Sequence, residues 1–176
     1  MERDYPIFIF AIFFSKSNTF TFMLVYTDTS VIGGCFDVEF EVWSNLLFKE
    51  FATGSKQMML SDLTFQELEF AREEVKLKPR QIPDAFIRQV FVTDEAIKLA
   101  ETYIHEGALT TKSYNDALHI ATATIQRASV LASWNFKHIV NLNRIRLYNA
   151  INLKLGYPFI EIRTPREILY ETNNES

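Results

Sequence analysis

The sequence predicts an α/β domain of three layers, with a mostly parallel central sheet covered by helices on both faces. Three observations carry this. Short apolar runs alternate along the chain with segments whose apolar residues recur at helical spacing. The apolar runs are continuous rather than alternating with polar residues, as in strands buried on both faces. No Gly-, Pro- or Ser-rich linker, internal repeat or low-complexity tract divides residues 23–170.

The elements follow in order. Leu24, Val25 and Tyr26 form the first strand, which runs into Asp28, Thr29 and Ser30. Gly33-Gly34 then breaks the chain, as expected of a loop with unusual backbone angles. Residues 37–52 place Phe40, Trp43, Leu47 and Phe51 near helical spacing, and Gly54 stands where a helix C-terminus needs it. Met58, Met59 and Leu60 make a second strand. Thr64 and Glu67 have capping-box spacing and open a helix expected to reach Val75. Pro79 and Pro83 punctuate a connection. Residues 94–105 form an amphipathic helix ending before Gly107, and Ser113 or Asn115 caps a buried helix reaching about Arg127. A third strand covers 130–134, a helix 138–155 and a last strand 159–162. Pro165 starts a terminal helix. The polar stretch 171–176 is expected to fray.

Composition sets further bounds. The chain has 176 residues, with 18 Lys and Arg against 22 Asp and Glu, for a net charge of −4. A single cysteine, Cys35, excludes a disulfide framework and a cysteine-rich zinc site. It suits a reducing, cytoplasmic setting. Six of the sixteen phenylalanines lie within residues 1–22. The apolar run at 6–14 is far short of the ~20 residues of a spanning helix. Glu2, Arg3 and Asp4 do not make the basic start of a signal peptide. The leader therefore reads as an extra strand or as a mis-assigned start, with Met23 the true one, and no membrane association is expected.

Ligands of open parallel sheets bind beyond the carboxyl ends of the strands. Asp28 follows the first strand, Ser61 and Asp62 the second, and Asn135 the third. Glu67 and Asp116 lie near the starts of two helices. Carboxylates gathered this way repel unless a proton or a cation offsets them. Oxygen donors without cysteine or paired histidine favour Mg²⁺ or Mn²⁺, ions that serve phosphate chemistry by activating a water and stabilising phosphoryl charge. Each acid also has a plain role open to it: a strand-end turn for Asp28, a cap for Glu67, a first-turn charge for Asp116.

Four strings occur in order: LVYTDTSVIGGCFD, LSDLTFQELEFA, SYNDALHIATA and LASWNFKHIV. Together they resemble the PIN domain, in particular the VapC-like toxins of toxin–antitoxin pairs, over roughly residues 23–165. The resemblance implies a metal-dependent endoribonuclease that cleaves RNA phosphodiester bonds with metal-activated water. It also implies a cognate antitoxin and a homodimer. By position, Asp28, Glu67 and Asp116 match the first three family acids as catalytic metal ligands. The fourth falls at Asn135, which brings an amide and no charge, so a one-metal centre is favoured over two. Thr29 and Ser30 are expected to bond Asp28 or a substrate phosphate.

The remaining candidates are weaker. Lys137, His138 and Arg144 are candidate substrate contacts in a basic stretch, 137–168, that carries six Lys and Arg against two Glu. Asp62 rivals Glu67 as second ligand. His119 reads as a satisfied core histidine, Cys35 as a packing residue, and Glu69, Glu73 and Glu74 as a solvated face. No phosphate loop, dinucleotide fingerprint or serine-hydrolase elbow is present. Two other functions stay open: a PIN-fold RNA-binding module with little catalysis, motivated by Asn135, and a metal-dependent phosphatase.

Overall fold

In the computed structural model the described residues are 22–174, with side chains described through Tyr170. Expectations placed on residues 1–21 lie outside the described residues. Five parallel strands form one sheet in the order β3-β2-β1-β4-β5: β1 (Met23–Thr27), β2 (Lys56–Ser61), β3 (Ile87–Val90), β4 (Val130–Ala132) and β5 (Ile162–Arg163). The helices are α1 (Thr29–Gly34), α2 (Glu41–Thr53), α3 (Asp62–Leu68), α4 (Glu73–Leu77), α5 (Asp94–His105), α6 (Tyr114–Ile125), α7 (Leu142–Leu155) and α8 (Pro165–Asn174).

The strands send neighbouring side chains to opposite faces, and each face meets its own core. Tyr26, Met59 and Leu131 pack with Leu99 and Tyr103 of α5, Ile120 of α6 and Tyr148 of α7. Val25, Met58, Leu60 and Val130 pack with Ile32 of α1, Leu47 and Phe51 of α2, and Ile168 of α8. This is the expected three-layer α/β/α architecture, and its sheet is wholly parallel. Gly54 and Gly156 cap α2 and α7 in the left-handed region, at φ 75° and 80°.

Several local expectations need correction. Gly33-Gly34 is not a loop: both residues belong to α1, and neither has a positive φ. Close packing explains Gly34 instead. A Cβ there would lie 2.7 Å from Ser44 Oγ and 2.9 Å from Trp134 Nε1. The capping residue of α3 is Ser61, whose hydroxyl accepts from Thr64 N–H, and α3 stops at Leu68. Strand β3 was not expected, because its exposed Arg88 and Gln89 leave no apolar run. Helix α7 begins at Leu142 with Asn141 as its cap, and 135–140 is a turn.

Candidate functional site

The strand order reverses between β1 and β4, and a parallel sheet opens a crevice at such a point. Asp28 stands there, with its N–H bonded to Ala132 O of β4 at 3.1 Å. Its carboxylate is buried and held from one side. Ser30 Oγ and Ser133 Oγ both donate to Oδ2, at 2.6 and 2.7 Å. Oδ1 instead faces His119 Nε2 at 3.8 Å.

Glu67 reaches the same place from α3. Thr29 Oγ1 donates to its Oε2 at 2.5 Å, His119 Nε2 meets the same oxygen at 3.1 Å, and Asn115 Nδ2 donates to Oε1 at 3.0 Å. Asn115 and His119 are four residues apart on α6, so one helix face presents both to Glu67. Burial by itself would raise the Glu67 carboxyl. The hydrogen bond and charge of His119, with the bonds from Thr29 and Asn115, outweigh it and hold the group down at about 2.

His119 is fully enclosed. Its Nδ1 meets Tyr26 Oη at 2.8 Å, and Tyr26 Oη meets Ser61 Oγ at 2.7 Å. Burial works against a charged ring, but Tyr26, Glu67 and Asp28 together raise His119 well above the usual histidine range. Each ring nitrogen thus has a hydrogen-bond partner, Tyr26 Oη at Nδ1 and Glu67 Oε2 at Nε2. The expectation of a satisfied, buried histidine holds, and the same residue also joins the acids. Asp28, Glu67 and His119 each offer a ligand atom within 4.8 Å of the others, a group able to hold a metal ion.

Asp116, in the first turn of α6, stands just beyond that trio. Asn135 Nδ2 donates to its Oδ1 at 2.8 Å. The Asn135 N–H donates to Ser133 Oγ at 2.9 Å, so Asp116, Asn135, Ser133 and Asp28 form one hydrogen-bonded chain. Burial and the Asp28 charge raise the Asp116 carboxyl, partly opposed by His138 and His119. The Asn135 amide oxygen accepts from His138 N–H at 3.0 Å. Here Asn135 orients Asp116 instead of presenting an oxygen to the cluster.

The other candidates divide. Ser30 bonds Asp28 as expected, whereas Thr29 bonds Glu67. Asp62 is not a rival ligand: its Oδ1 accepts from Leu63 and Val92 N–H, at 3.0 and 2.9 Å, and fastens the end of β2 to the segment after β3. Arg144 gives its Nη1 to Ala108 O. Lys137 is exposed, and His138 is half-buried beside Asn135. Cys35 is a buried packing residue whose thiol burial pushes up to about 11. Sequence reasoning missed Tyr26, Asn115 and Ser133. The available signals were a histidine three residues after Asp116 and a serine one residue past a buried strand.

The donors suit a divalent cation. Asp28 and Glu67 bring carboxylate oxygens and His119 a ring nitrogen, and Asp116 lies outside that group of three. Among the described residues no helix is long and apolar enough to cross a membrane.

No protein-family model and no curated protein matches the sequence. Among solved structures, the chain is similar to one in the structure of FitAB bound to an IR36 DNA fragment. That likeness has a TM-score of 0.51 and 13% identity, over 80% of this chain and 94% of the other. A chain of VapBC2 from Rickettsia felis, bound to a DNA fragment from its promoter, matches at a TM-score of 0.48 and 13% identity, over 81% and 98%. The FitAB likeness bears on the fold, which is that of a PIN-like α/β/α domain.

Proposed function

We propose that this chain is a metal-dependent endoribonuclease, the toxin of a toxin–antitoxin pair. The observation that carries this reading is the meeting of Asp28, Glu67 and His119, from three separate segments, at the β1/β4 crevice. Asp116 is linked to Asp28 through Asn135 and Ser133. The motif order and the PIN-like fold agree with it.

In this reading Asp28, Glu67 and Asp116 hold Mg²⁺ or Mn²⁺, and Asn135 positions Asp116. The bound ion supplies Lewis acidity and charge compensation to a scissile phosphate. The protein's own groups do the rest. Ser30 and Ser133 lock Asp28 Oδ2 and leave Oδ1 facing the crevice. Thr29, Asn115 and His119 fix Glu67. Lys137, exposed next to the Asn135 turn, is placed to meet the RNA backbone, with His138 beside it. A cognate antitoxin, a homodimer and a cytoplasmic location complete the proposal. The FitAB neighbour is itself a complex on DNA.

The test is cleavage of single-stranded RNA with Mn²⁺ or Mg²⁺. Asp28→Asn and Asp116→Asn are each expected to lower the rate by about a hundredfold or more, with circular dichroism unchanged. Undiminished cleavage in both variants sinks the assignment. One observation favours a second reading. The Asn135 amide is engaged on both sides, so the fourth ligand position brings neither charge nor a free oxygen. An RNA-binding module with little catalysis has that property, and Mn²⁺ binding gained only in Asn135→Asp would support it.

A further inference from the structure

Next to the acidic cluster the surface becomes aromatic. Both tryptophans of the chain, Trp43 and Trp134, line an open groove of about 590 Å³, together with Phe40, Phe136 and Arg166. A second hollow of about 490 Å³ shares Phe40 and Trp134 with it and reaches Ser30 and Asn135. Both volumes fall in the ~300–1,000 Å³ range of ligand sites. The groove is joined to the cluster by two short bonds. Trp134 N–H donates to Ser30 Oγ at 3.0 Å, and that hydroxyl donates to Asp28 Oδ2 at 2.6 Å.

Trp43 and Trp134 are half-buried and pack against the core, Phe40 is half-buried, and Phe136 is exposed. Phe40 stacks on Trp134 with centroids 4.6 Å apart and planes 22° apart. Phe136 stands 6.1 Å from Trp134 and 6.4 Å from Phe40, and its side chain is 51% exposed. At the far end Arg166 is held over Trp43 and Tyr170, 5.5 Å from each ring. Among the described residues Arg166 forms no ion pair. Its neighbour Glu167 is occupied by Thr164, accepting from both the N–H and the hydroxyl at 2.8 Å.

We propose that this groove is a stacking platform for unpaired bases of single-stranded RNA, with Arg166 on a flanking phosphate. The strand is thereby laid so that a phosphate beside the stacked base reaches Asp28. The inference rests on the nuclease reading for what happens at Asp28, and it adds how the substrate is chosen and held. Every base has a π face, so stacking tolerates sequence and contributes ~1–3 kcal/mol per base. Paired bases hide those faces, which excludes duplex. The platform also answers an electrostatic difficulty. A chain of net charge −4 gains little from counterion release, whereas salt does not screen stacking.

Because both tryptophans lie in the groove, their fluorescence reads its occupancy directly. Full-length protein in chelator, where nothing is cut, is titrated with single-stranded octaadenylate, an abasic oligomer of equal length, and the octaadenylate duplex. Octaadenylate is expected to quench the tryptophans, and the other two are not. Phe136→Ala is expected to weaken octaadenylate binding about five- to a hundredfold, and Phe136→Tyr to restore it. The proposal is overturned if the abasic oligomer binds as tightly as octaadenylate, or if Phe136→Ala changes nothing. RNA binding without quenching overturns it too and leaves the groove to a protein partner, and so does no binding at all. Quenching without cleavage after Mn²⁺ is added removes the nuclease reading alone. Cleavage without quenching removes the platform alone.

Discussion

Glu67 shows how single residues set the chemistry of the crevice. Its carboxyl is held at about 2 against an ordinary 4.5, so its contribution to stability is complete above 4.5. That contribution is lost as pH falls toward 2. His119 is shifted the other way. Its contribution is complete below the ordinary histidine value of 6.5 and is lost as pH rises through its raised value. In chelator, the urea midpoint is therefore expected to fall as pH drops from 4.5 toward 2. Glu67→Gln should be less stable than wild type at pH 6 and show a shallower acid limb. Parallel acid limbs in the two proteins would contradict this assignment. At this scale the sequence was legible where chemistry and position coincide. Asp28 follows an apolar strand and Asp116 opens a buried helix, so both stand out. His119 does not, because an apolar helix face looks the same whether its histidine meets core or carboxylates. The approach of Glu67 from α3 decides, and that approach is tertiary.

Among the elements, α1 shows most plainly what local pattern hides. Two adjacent glycines suggest a loop, yet both lie in the last turn of α1, and Trp134 and Ser44 leave no room for a Cβ at Gly34. Gly34→Ala is expected to push Trp134 Nε1 off its 2.9 Å bond to Ser44 Oγ and to destabilise the fold by ~1–3 kcal/mol in urea. Unchanged stability would show that the Trp134 ring moves aside freely. Strand β3 was illegible for a different reason. As an edge strand it exposes Arg88 and Gln89, and only Val90 is deeply buried. The late start of α7 follows from the 135–140 turn, which Asn135 closes by accepting backbone bonds. The layers were readable because strand burial on both faces is a strong constraint. The boundaries were not, because single side-chain bonds from Ser61 and Asn141 set them.

For the whole molecule, the crevice couples ligand binding to folding. Any ion that binds only the native arrangement stabilises it by mass action, ~2.7 kcal/mol at a hundred times its dissociation constant. For a chain of this size that corresponds to ~5–10 °C in melting temperature. Mn²⁺ is expected to raise the melting temperature of the wild type by about that much and to leave Asp28→Asn nearly unmoved. An equal rise in both proteins would place the ion elsewhere. The sheet order has one more consequence, in time rather than in space. Asp28 and Ser133 are separated by 105 positions, and Glu67 and His119 by 52. Ribosomes add ~5–20 residues per second. The first carboxylate therefore leaves the ribosome roughly 5–20 s before the serine that fixes it. A nascent chain that halts short of β4 has its acids but not their alignment, so synthesis order delays assembly of the crevice until most of the protein has emerged.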